Sequence, residues 1–132
     1  MHTLQKLCLA LVMIAPSAFA LTIEPFSQQR FEHLQQQHQP IVIDVHADWC
    51  PTCQKQQFVF QQYQAQHPNS GITVLKIDFD QQKSWVKYFR APRQSTLIMF
   101  EGKQKKWVSV GETGQEIIFK QLDQIKTTAV QP

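Results

Sequence analysis

The sequence predicts a single α/β domain in which a mixed β-sheet is covered by helices on both faces. Three observations carry that expectation. Ile41-Val42-Ile43-Asp44-Val45 is a nearly continuous β-branched run, the pattern of a central strand buried on both sides and suited to parallel pairing. Segments with helical spacing flank it, the second opening at Pro51 and stopping at His67-Pro68-Asn69-Ser70-Gly71. Late in the chain, two strand-like segments joined at Gly102 lead into a last amphipathic helix.

The elements follow in the order αβαβαββα. Phe26, Phe31 and Leu34 punctuate a Gln-rich stretch with Ser27 near its start, which predicts a first helix over residues 24–39, closed by Pro40. After the central strand, Cys53, Phe60 and Tyr63 recur at helical spacing over residues 51–67. Residues 72–79 form the next strand candidate and residues 81–89 a short helix with Trp85 and Phe89 four apart. Residues 96–100 and 106–110 make the hairpin around Gly102. Beyond Gly111 and Gly114, Ile118, Leu122 and Ile125 mark the apolar stripe of the final helix.

The chain has 132 residues, 42% hydrophobic and 17% charged, which suits one ordinary globular core rather than a disordered segment. Formal charge is +3, or +2 once Lys6 is removed with the first twenty residues. Nothing in that balance calls for nucleic acid. Lys103, Lys105 and Lys106 read as a solvated hairpin turn, and the glutamine runs as exposed helix faces.

Residues 1–20 are set apart as a cleavable secretory signal. Lys6 precedes the apolar residues 7–15, followed by Pro16 and the small-residue pattern Ala18-Phe19-Ala20. The run is far short of the roughly 20 apolar residues a membrane span needs. Cleavage after Ala20 leaves residues 21–132 as the working domain, periplasmic or otherwise exported, without stable membrane insertion. Cys8 departs with the signal, so the mature domain keeps two cysteines, Cys50 and Cys53.

A disulfide between cysteines three apart closes too short a loop to restrain the unfolded chain much, so a stabilising role is the weaker reading. Cys50 stands at the start of the helix opening at Pro51, where unpaired N–H groups and the helix dipole favour a thiolate. Cys53 lies one turn further in, placed to attack a mixed disulfide on Cys50 and release the reduced partner. Asp44, on the central strand, is costly to bury unless its pKa rises or it accepts a proton, which makes it the candidate base for Cys53. The plainer reading is a strand-end acid that reaches solvent. Trp49 reads as an aromatic cover beside the nucleophile, and His46 either tunes the thiolate or fills the strand end.

Residues 43–53, Ile-Asp-Val-His-Ala-Asp-Trp-Cys-Pro-Thr-Cys, resemble the thioredoxin superfamily in its strand aspartate, alanine, acid, tryptophan and Cys-x-x-Cys pair. Residues 95–100 and Val110-Gly111 are similar to the family's strand after the cis-proline loop and its valine-glycine before the last helix. The resemblance implies a thioredoxin-like fold, dithiol chemistry without a cofactor, and protein thiols and disulfides as partners. Trp49, Gln94 and Ser95 are then the residues that face substrate. Three positions depart from the family: Ser95 stands where it has the cis-proline, His46 where it has tryptophan, and Phe58 where it has a kinking proline. A non-proline cis bond costs about 2.5–4 kcal/mol, so the peptide before Ser95 is expected to be trans.

Pro51-Thr52 does not set the direction of exchange, since family potentials run from about −270 to about −120 mV. Asp44 favours a reductant or isomerase-like role, and an exported reductant needs a membrane electron-transfer partner. The alternative is a soft-metal protein holding Cu(I) through Cys50, Cys53 and His46.

Overall fold

The computed structural model describes residues 19–127. The signal segment and Cys8 therefore lie, but for Phe19 and Ala20, outside the described residues. Nine elements follow one another: β1 (Thr22–Pro25), α1 (Gln28–Gln36), β2 (Pro40–His46), α2 (Pro51–Gln66), β3 (Thr73–Asp78), α3 (Lys83–Tyr88), β4 (Thr96–Glu101), β5 (Gln104–Val110) and α4 (Gln115–Ile125). The sheet has five strands in the order β1-β3-β2-β4-β5. β3 runs parallel to both β1 and β2, whereas β4 runs antiparallel to β2 and to β5.

The expected order αβαβαββα lacked β1, and the first helix is shorter than the expected residues 24–39. Thr22-Ile23-Glu24-Pro25 has one apolar side chain and no alternation long enough to declare a strand. It is made one by pairing with Thr73–Lys76 of β3. Pro25 ends it, as proline is tolerated at a sheet edge. The helix then begins one residue after Ser27, whose hydroxyl accepts from Arg30 N at 3.2 Å. Phe26, just before that cap, packs on Phe31 with ring centroids 6.0 Å apart, a hydrophobic staple that fixes the entry of the chain.

β2 is buried at every residue, as expected of a central strand covered on both faces. Ile41, Ile43 and Val45 point into one core with Phe31, Leu34, Val86 and Phe89, beneath α1 and α3. Val42 points the other way, into a core with Phe60, Tyr63, Ile118 and Leu122 from α2 and α4. Each such fully buried apolar side chain contributes roughly 1.5–3 kcal/mol of transfer free energy. Alternation along β2 puts Asp44 and His46 on the face of Val42, toward α2. That single strand therefore delivers two polar side chains to the foot of the cysteine helix. Lys103, Lys105 and Lys106 lie exposed around the β4–β5 turn, as expected of a solvated hairpin.

Candidate active site

Chain geometry where β2 passes into α2 puts the two cysteines at a helix start. Cys50 N donates to Ala47 O at 3.1 Å, closing the turn, and Pro51 occupies the first helical position with its fixed φ. Cys50 is the N-cap of α2: its Sγ accepts the Cys53 N–H at 3.1 Å, one of the orphan donors of the first turn. Cys50 and Cys53 are joined as a disulfide with Cα atoms 5.3 Å apart. Both sulfurs belong to buried residues, packed with Ala47 and, from the side, Phe79.

Trp49 stands beside them and is 58% exposed. Its indole Nε1 donates to Asp80 Oδ2 at 2.7 Å, and its ring meets Phe79 edge-on at 6.4 Å. The ammonium of Lys83 sits 3.6 Å above the centre of the Phe79 ring. The tryptophan is thus an exposed plate held from beneath and from its edge rather than a core residue.

Asp44 is fully buried. The reading of it as a strand-end acid in solvent is overturned, because β2 is covered by α2 at that point. Burial pushes its carboxyl up to about 7, against the lowering effects of a hydrogen bond from Gln57 and the charge of Lys76. Gln57 Nε2 donates to Oδ2 at 2.6 Å, while Oδ1 has no partner among the described residues. Lys76 is the register partner of Asp44 on β3.

His46 is buried at the end of β2, and burial lowers its pKa, with Lys76 acting in the same sense. Its Nε2 lies 3.2 Å from Asp48 Oδ1. A carboxylate only accepts, so that ring nitrogen carries the proton. A crevice of about 320 Å³ opens beside it, walled by Ile23, Pro25, Lys76 and Asp78, and neither cysteine lines it.

The loop before β4 faces a different set of partners. Ser95 has φ +62°, in the left-handed region, and the described peptide bonds are all trans. Its N–H donates to Val45 O at 2.7 Å, and its carbonyl accepts from Gly111 N at 2.9 Å. The same carbonyl accepts Gln56 Nε2 at 3.0 Å, and that amide also donates to Glu112 O at 2.9 Å.

A family model described as thioredoxin matches residues 22–124. The chain belongs to the thioredoxin family. Trxlp from Edwardsiella tarda is 34% identical, aligned over 80% of this chain and all of that one, with a TM-score of 0.71. The thiol:disulfide interchange protein DsbE of Pasteurella multocida is 33% identical over 66 residues, 47% of this chain. The bifunctional thioredoxin reductase/thioredoxin of Mycobacterium leprae is 26% identical over 105 residues, 80% of this chain. This thioredoxin-family chain spans only 23% of the length of that bifunctional protein and 34% of DsbE.

Cys50 and Cys53 fall at the motif position of the family, with Trp49 before them. Asp44 stands beneath α2, joined to that helix by Gln57. Ser95 is buried and Gln94 half-buried in the loop before β4, Ser95 engaged through its backbone with β2, α2 and Gly111. Sequence reasoning missed Gln56, Gln57 and Asp80. For Gln56 a signal existed: positions 53, 56, 60 and 63 form one helical stripe, and Gln56 is fully buried with the other three. The expectation that glutamines line exposed faces fails there.

Proposed function

We propose that the chain is an exported thiol-disulfide oxidoreductase working as a reductant. The observation that carries the reading is the Cys50–Cys53 disulfide at the N-terminus of α2, with Cys50 as cap. In the reduced protein the Cys50 thiolate, favoured by the helix N-terminus, attacks a substrate disulfide and forms a mixed disulfide, expelling one substrate thiolate. Cys53 then gives its proton to Asp44 and attacks Cys50 Sγ. The intramolecular disulfide closes, and the second substrate sulfur leaves as a thiolate that takes a proton from water.

Three features support the details. Gln57 grips Asp44 from four residues beyond Cys53, so the carboxyl is tied to the helix face that carries that thiol. Burial, with Lys76, lowers the pKa of His46, the histidine nearest the motif in sequence, and so disfavours there the positive charge that would stabilise a thiolate and make a stronger oxidant. Trp49, exposed beside Cys50, offers substrate an aromatic plate, and the loop of Gln94 and Ser95 before β4 is the second contact the reading expects. Exchange is favoured over Cu(I) binding, since among the described residues no three or more His, Cys, Asp or Glu side chains are gathered as a metal-binding group.

Export rests on residues 1–20, with Leu21 as the first fully buried residue of the described chain. Among the described residues no helix is long and apolar enough to cross a membrane. An exported reductant draws its electrons from a membrane relay and acts on protein disulfides outside the cytosol. The test is turnover: dithiol-driven reduction of a protein disulfide, abolished in Cys50→Ser and stalled at a trapped mixed disulfide in Cys53→Ser. Turnover that persists in Cys50→Ser would remove the proposal. For export, the full chain is expressed with a secretion reporter, and retention of residues 1–20 in the cytosol would contradict it.

A further inference from the structure

We propose that Gln57 is the positioning residue that holds the Asp44 carboxyl for proton exchange with Cys53 and thereby sets the pH range of the resolving step. This rests on the proposed role of Asp44 as base.

The geometry is asymmetric. Gln57 Nε2 caps Oδ2 at 2.6 Å, while Oδ1, equally buried, has no partner among the described residues. Gln57 follows Cys53 by four residues, so the two side chains neighbour each other on α2, Cβ atoms about 6 Å apart. One helix therefore carries both the thiol that must lose a proton and the amide that fixes the group receiving it. With Oδ2 occupied, Oδ1 is the oxygen left to accept.

The other groups around Asp44 are few. β3 contributes Lys76, its register partner, and β2 contributes His46 two residues on along the same face. β4 brings the apolar Leu97 opposite it, and α4 brings Ile118 and Leu122 to the same core. From α2 comes Gln57, one turn beyond Cys53. Among these, Gln57 alone hydrogen-bonds the carboxyl.

An amide suits a carboxyl that changes charge during each cycle. Its NH2 donates to the carboxylate, and after a half-turn about its terminal bond its C=O accepts from the carboxylic acid. The carboxyl keeps its place in both states. In the step itself the Cys53 S–H bond breaks, the proton passes to Asp44, and the thiolate forms the S–S bond with Cys50. The substrate sulfur leaves with the electron pair of the broken mixed disulfide.

The experiment mixes reduced protein with 5,5′-dithiobis(2-nitrobenzoate) and follows the second release of thionitrobenzoate, which reports the attack of Cys53, as a function of pH. Wild type is expected to show a rate that rises through about pH 7, the value to which burial brings Asp44. Gln57→Met removes a donor to the anion and is expected to move that limb up by about one pH unit. Gln57→Lys offers only donors and a positive charge and is expected to move it down. The first release, the attack of Cys50, is expected to keep its pH profile in both variants. A role in packing alone does not produce shifts of opposite sign. If Asp44→Asn leaves the limb in place, the base role of Asp44 fails. If Asp44→Asn removes the limb while both Gln57 variants keep it at the wild-type pH, the assignment of Gln57 is overturned and the base role stands.

Discussion

Gln56 Nε2 lies 3.0 Å from Ser95 O, so a fully buried amide one turn beyond Cys53 ties the cysteine helix to the loop in front of β4. Its second N–H reaches Glu112 O, after β5. Two loops and one helix thus converge on a single side chain. Gln56→Leu keeps the volume but leaves the Glu112 carbonyl unpaired, whereas Ser95 O retains Gly111 N. A loss of about 1–3 kcal/mol is expected, read as the shift of the denaturation midpoint at unchanged slope.

Ser95 offers a prediction in two directions. Its φ of +62° is a region that costs a non-glycine residue roughly 1 kcal/mol, so Ser95→Gly is expected to be neutral to stabilising. Ser95→Pro restores the residue characteristic of the family yet demands φ near −65° and deletes the N–H that reaches Val45 O at 2.7 Å. It is expected to destabilise by about 3 kcal/mol or more. Unchanged thermal stability of Ser95→Pro would show that the loop has no stake in its left-handed turn.

Asp44 links stability to pH. Its folded pKa, about 7, lies above the ordinary 3.8, so between those values the folded chain holds a proton that the unfolded chain has lost. The contribution of this group is fully present below about pH 4 and is lost as pH rises through 7. Above pH 7 the buried charge costs on the order of 4 kcal/mol. Asp44→Asn is expected to be more stable than wild type at pH 8 by a few kcal/mol, a margin that closes toward pH 5. Parallel stability curves for the two proteins over that range would contradict the buried acid.

Trp49 is held by Asp80 rather than by the core. Asp80→Ala removes one exposed hydrogen bond, so stability is expected to fall by less than about 1 kcal/mol. Rotation of the freed indole is expected to alter its fluorescence and to slow exchange with a protein disulfide more than with a small one. Equal rates for both substrates in the variant would mean that the orientation of Trp49 has no part in recognition.

Much of this arrangement is legible in the chain. The β-branched run of β2, Pro51 after Cys50 and the stripe of Ile118, Leu122 and Ile125 each state their element locally, because propensity and burial agree there. β1 is not legible: four residues with one inward apolar side chain become a strand only through β3, a contact some fifty positions away. The site divides in the same way. Cys50, Cys53 and Asp44 are marked by residue type and spacing. Gln56 is marked only by its place on the stripe of Cys53, Phe60 and Tyr63, and Gln57 not at all, since a glutamine on a helix looks solvated until its partners, Ser95 and Asp44, arrive from other parts of the chain.

The central claim, that Cys50 and Cys53 form an exchanging dithiol poised to reduce, is tested most directly by the reduction potential of residues 21–132. The protein is equilibrated in dithiol buffers and followed by Trp49 fluorescence, with thiol trapping as control. A two-electron transition near the thioredoxin value, about −270 mV, is the expected result. A potential above about −180 mV would contradict the reductant role, and a pair that never titrates would contradict exchange altogether.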